Sequence, residues 1–246
     1  MGLERKPTPA VSSELSRLSE HQLFHPKPRQ SVASTLEGRS PLGYADVGLF
    51  FVFVFFLASF FRLGVHFRML DQAVLKRPPL LVQAAISLLL LAALYWIVRI
   101  RHGSGVWTLL GWSRPGAFYL IVALVGGVGI AMIVDSIAHA TTPTNHLIRF
   151  WDLLLLDVLL GPVVEESFFR GCLLPVLARR TGPVIATLAT AIVFATFHPV
   201  RTFAQWACFA GTGVAYGWIR IKSGSTTSPT LMHAAYNATL YVYQIL

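Results

Sequence analysis

Apolar residues in this chain neither alternate nor recur on one helical face; they form long runs separated by short polar breaks. The runs cover 48–61, extendable to about 67, then 79–98, 117–137, a stretch starting at 151, 183–199, 203–219 and 230–246. A helix needs about 20 such residues to cross a hydrocarbon core of about 30 Å. The pattern predicts an all-α, polytopic membrane helix bundle of about seven transmembrane helices, within a range of six to eight. Residues 1–43 differ in kind, carrying Pro, Ser, Glu, Arg and Lys without helical or strand periodicity. They cannot bury enough apolar surface to order themselves, so a disordered polar tail is expected ahead of a membrane-embedded domain at 44–246.

Composition agrees. The chain is 54% hydrophobic and 13% charged, against about a quarter charged in soluble domains. A net charge of +9 could point to nucleic acid, but the basic residues are scattered over loops and tail rather than gathered in a stripe, so no nucleic-acid partner is expected. Their better use is to set topology. Arg99, Arg101 and Arg114, then Arg179 and Arg180, then Arg220 and Lys222 fall in alternate loops, which places those loops on the cytoplasmic side of a multi-pass protein of the plasma membrane. Arg62, Arg68, Lys76 and Arg77 oppose that order. If the first run were only re-entrant, the tail would change sides. Trp107, Trp112 and Arg114 give the segment 103–116 the mixture expected at a membrane interface. Cys172 and Cys208 lie in apolar stretches and imply no disulfide framework. The first 40 residues lack the apolar core of a cleavable signal, so the first span is expected to direct insertion.

The fourth run contains the informative residues. Beyond Glu37 the chain has two glutamates, Glu165 and Glu166, both in the middle of an apolar run where a charge costs several kcal/mol. Glu166 and Arg170 are spaced i, i+4 and share a helical face, so an ion pair can neutralise one carboxylate. Glu165 points about 100° away. The chain descends from Glu165 to Arg179, turns, and ascends about as far from Pro183 to His198, which brings Glu165 and His198 level. His233 and Asn237 share a face of the last run at similar depth. A carboxylate beside an imidazole can polarise water as general base and then acid, and Asn237 with His233 can donate to the oxyanion of a tetrahedral intermediate.

Glu165-Glu166-x-x-x-Arg170, Phe194-x-x-x-His198 and His233-x-x-x-Asn237 resemble the three ordered motifs of the CPBP family, which includes type II CAAX prenyl proteases and bacteriocin-immunity proteins. The resemblance covers about 105–246 and includes Leu110-Gly111-Trp112 as a lead-in. It implies an intramembrane endopeptidase in which Glu165 and His198 activate water while His233 and Asn237 support the oxyanion, acting on a membrane-associated peptide, of CAAX type or otherwise, within the lipid bilayer. The chain lacks a His-Glu-x-x-His pattern. A divalent metal such as zinc is left open as a cofactor, with Glu165, His198 and His233 as its candidate ligands. Two other readings compete. Midplane charges also mark transporters and proton relays, although no inverted repeat is evident; a non-proteolytic immunity or scaffold protein would bind a partner without cutting it. Oligomeric state is not encoded in any of these patterns.

Overall fold

The computed structural model describes residues 41–67, 69–71, 79–103, 105–138, 153–198 and 202–245. The expected tail lies outside them except for 41–43, as do Arg68, Lys76 and Arg77 of the first loop. Every regular element among the described residues is helical: α1 (Tyr44–His66), α2 (Leu80–His102), the short α3 (Val106–Leu109), α4 (Ala117–Ala138), α5 (Gly161–Phe168), α6 (Leu174–Thr196), α7 (Phe203–Ser223) and α8 (Thr227–Ile245). Two π-helical stretches, Leu153–Leu160 and Phe169–Leu173, run into and out of α5. Four helical stretches are long and apolar enough to cross a membrane: Tyr44–His66, Leu80–His102, Ala117–Ile137 and the 43-residue Leu154–Thr196. The outward surface is that of a protein solvated by lipid, with Phe55, Leu81 and Ile100 each at least three-quarters exposed. This is an integral membrane protein.

The 43-residue stretch is a hairpin. Gly182 adopts φ 76°, ψ 165°, a conformation glycine reaches without steric cost, and Pro183 starts the return limb. The 14 residues from Pro183 to Thr196 rise about 21 Å, so His198 lies within the thickness of the bilayer rather than at its far edge. α7 then packs closely on α6. A Cβ on Gly213 would come within 2.9 Å of Ala191 Cα, and one on Gly217 within 2.7 Å of Thr187 Cγ2; these two glycines, four residues apart on one face, let the backbones approach as small residues do between membrane helices. α7 is capped at its start by Thr202 Oγ1, which accepts from the Gln205 amide at 3.1 Å, and ends at left-handed Gly224.

α1 and α2 form an antiparallel pair tied at one end. Asp46, fully buried in the first turn of α1, accepts from Arg101 Nε at 2.6 Å and lies 3.0 Å from His102 Nε2, both at the end of α2. Its other oxygen accepts from the Gly43 amide. The start of α1 and the end of α2 therefore lie together, and α1, 23 residues long, is long and apolar enough to span. Arg220, placed among the loop cations by its spacing, is instead inside α7 and 4% exposed, so it belongs to the interior and not to the topology-setting charges. Exposed Arg179, Arg180 and Lys222 remain at helix ends.

Candidate active site

α5 carries Glu165 and Glu166 on two faces of one helix, and the surroundings of the two carboxylates differ completely. Glu166 and Arg170 are both 0% exposed, with Arg170 Nη1 3.0 Å from Glu166 Oε1. The same oxygen takes His233 Nδ1 of α8 at 3.1 Å. Since a carboxylate accepts, the Nδ1–H of His233 donates. Arg170 extends further, its Nη2 donating to the Gly213 carbonyl of α7 at 3.0 Å, with its guanidinium carbon 4.6 Å from the Phe194 ring centre and 5.2 Å from that of Tyr216. His233 stacks on Tyr216 at 4.9 Å. One carboxylate thus joins α5 to α8, and its arginine partner joins α5 to α7.

On the other face, Glu165 Oε2 lies 3.9 Å from His198 Nε2. That is too long for a direct hydrogen bond, and Glu165 Oε2 has no other partner among the described residues. His198 is oriented by its second nitrogen: Nδ1 is 2.8 Å from the Phe194 carbonyl. A carbonyl oxygen can only accept, so Nδ1 bears a proton, and in the neutral form of the ring Nε2 presents a lone pair to Glu165. The ring is sandwiched between Phe194 and Phe209, each 4.4 Å away between centres. Two acceptors therefore face each other across a gap. A group with two donors, such as water, satisfies both. The side chains are 35% and 19% exposed, although Glu165 Oε2 itself is buried, so this face is partly open where the Glu166 face is sealed.

His233 and Asn237 do not simply face the pair. His233 is turned onto Glu166, and the Asn237 amide donates to the Asp157 carbonyl in the first π-helical stretch. Each keeps a second nitrogen position, Nε2 in His233 and the other N–H in Asn237. Four participants escaped sequence reasoning. Trp112 Nε1 donates to Ser167 Oγ at 3.1 Å, which itself donates to Val163 O, so the lead-in turn grips α5 next to its glutamates. Thr226, ahead of α8, donates from its amide to Gly111 O at 2.8 Å and from Oγ1 to Leu110 O at 2.6 Å. The lead-in thereby ties α5 to the start of the helix that carries His233. Asp157 and Arg220 are the remaining two, and both act through backbone carbonyls.

Comparison with known proteins falls on this part of the chain. Residues 147–239 match the family described as type II CAAX prenyl endopeptidase Rce1-like. The site-bearing segment is similar to that family. A curated relative, CAAX prenyl protease 2 of Rattus norvegicus, is 28% identical, the match covering 67% of this chain and 58% of that protein. The chain therefore spans less than two thirds of that relative's length. No solved structure matches. The 147–239 segment holds Glu165, Glu166, Arg170, His198, His233 and Asn237, and the match to the rat protein extends well beyond it.

The candidate metal ligands of the matched segment do not gather. A catalytic zinc takes three protein ligands and keeps one position open. Glu165 and His198 approach each other, but His233 is engaged by Glu166, and among the described residues no three His, Cys, Asp or Glu side chains form a metal-holding group. The donor set fits water between two acceptors better than a metal centre.

Proposed function

We propose that this chain is a membrane-embedded endopeptidase in which Glu165 and His198 activate a water molecule against a peptide bond. The observation that carries this reading is the 3.9 Å gap between Glu165 Oε2 and His198 Nε2, two acceptors when the ring is neutral and its Nδ1–H is held by the Phe194 carbonyl. A water between them donates both hydrogens, which turns its lone pairs outward toward a carbonyl carbon. As the oxygen–carbon bond forms, a proton passes to Glu165, and the same carboxyl delivers it to the departing amine when the carbon–nitrogen bond breaks. The free amide hydrogen of Asn237 is the donor for the oxyanion, and His233, whose Nδ1–H is given to Glu166, adds an Nε2–H to it only in the doubly protonated ring. Glu166 and Arg170 hold this geometry without touching the peptide. The name of the rat relative supports a prenylated CAAX-type substrate, and the basic helix ends support a cytoplasmic face for Arg179, Arg180 and Lys222 in the cell membrane.

The test is cleavage of a membrane-displayed peptide library, in nanodiscs, by the parent and by Glu165→Gln, each with and without chelator. Cleavage by the parent that the chelator leaves intact and Glu165→Gln abolishes is expected. A Glu165→Gln protein with full cellular function would favour the scaffold role instead.

A further inference from the structure

Each π-helical stretch is followed, two residues on, by a proline: Pro162 after Leu153–Leu160 and Pro175 after Phe169–Leu173. In a π turn the amide of residue i+5 donates to the carbonyl of residue i, and the Leu174 amide does so to Phe169. The next donor in that series is residue 175. Proline has no N–H, so the carbonyl of buried Arg170 loses its helical partner, a state that buried carbonyls rarely keep. Arg220 Nε, arriving from α7, donates to it at 3.2 Å. The first stretch repeats the arrangement: the missing donor is Pro162, the carbonyl is Asp157, and Asn237 of α8 supplies the hydrogen.

Arg220 has little other reason for its position. It is 4% exposed, its Nη1 has no hydrogen-bond partner, and among the described residues no carboxylate pairs with it. An unpaired buried cation is unfavourable, yet the fold makes room for it. Gly111, at φ +76°, lies where a Cβ would stand 2.2 Å from Arg220 Nη2. The π turn that Arg220 holds lies between the two halves of the candidate pair, Glu165 on α5 and His198 beyond the end of α6. Relaxing it to an α turn slips the register by one residue, which rotates one half against the other by about 100°.

We infer that Arg220 is a positioning residue: it supplies the donor that Pro175 lacks, holds Phe169–Leu173 in π form, and so sets the rotation at which Glu165 meets His198. The catalytic half of this inference rests on the hydrolytic reading above. The decisive comparison is between Arg220→Met, Pro175→Ala, which returns an N–H to position 175, and the double variant, in nanodiscs. Two readouts are taken, peptide cleavage and hydrogen exchange of the backbone amides over 165–175. Arg220→Met is expected to lower kcat about 100-fold with KM within about twofold, the effect of a small misplacement of reacting groups, and to raise exchange over 165–175. Pro175→Ala alone stays near the parent. The double variant regains about tenfold in kcat, through coupling between the two sites, together with exchange protection. Parental kcat in Arg220→Met, or a double variant no better than Arg220→Met in either readout, overturns the inference. Should Arg220→Met fail to accumulate, recovery of yield in the double variant supports it and no recovery overturns it. Exchange that is lost and regained in a protein whose parent never cleaves supports the hold on the turn and removes the hydrolytic reading alone.

Discussion

The two faces of α5 are separated by a single peptide bond and solve opposite problems. On the Glu166 face one carboxylate oxygen is held by Arg170 and His233, Arg170 is held in turn by the Gly213 carbonyl and two aromatic rings, and both members of the ion pair have no exposure. Glu166 Oε2 and Arg170 Nε lack a hydrogen-bond partner among the described residues. On the Glu165 face a carboxylate oxygen and an imidazole nitrogen confront each other at 3.9 Å, and no described residue donates to that oxygen. A buried ion pair tied to two neighbouring helices fixes position. A partly exposed couple with no direct bond leaves hydrogen-bonding capacity for an incoming molecule, and the closed face gives the open one a rigid base.

If that division is right, perturbing the open face changes chemistry with little change in stability, and perturbing the closed face does the reverse. Glu165→Gln keeps shape but loses the base, so cleavage is expected to fall by about 10²- to 10⁴-fold with the melting temperature unchanged; a large loss of stability would contradict the contrast. Arg170→Ala strands the Glu166 charge with His233 alone, which costs about 3 to 5 kcal/mol, seen as lower yield and earlier thermal unfolding in detergent. Unfolding at the parental temperature would remove the ion pair from the account. Asn237→Ala touches both faces. It is expected to lower kcat by about 10²- to 10³-fold through the oxyanion and to destabilise by about 1 kcal/mol through loss of the hydrogen bond to the Asp157 carbonyl, so a purely kinetic or purely thermal effect would sharpen which role dominates. Trp112→Phe is the mildest, removing one hydrogen bond to Ser167 for about 1 kcal/mol, measurable as a small shift in unfolding with cleavage nearly intact.

The hairpin geometry was legible because it needs only a count. Equal numbers of residues either side of the 179–183 turn place Glu165 and His198 level, and helical rise is the same whatever the neighbours. The i, i+4 pair of Glu166 and Arg170 is local and was legible for the same reason. The partners of His233 and Asn237 were not. Both depend on π turns, which insert a residue into the helical repeat and rotate everything beyond them, and a constant step of 100° per residue cannot register that. Pro162 and Pro175 were the available signal: a proline inside an apolar run orphans a carbonyl, and a buried orphan calls for a donor from elsewhere. Arg220 was misassigned because spacing alone cannot separate a helix-end cation that faces water from one that turns inward to a carbonyl.

Asp46 settles where labels will be seen. Because its carboxylate is shared by Arg101 and His102 at the far end of the next helix, an epitope inserted just ahead of Tyr44 and a cleavage site placed between His102 and Val106 report from the same compartment. In sealed vesicles an added protease digests both or spares both, in whichever orientation the vesicles form.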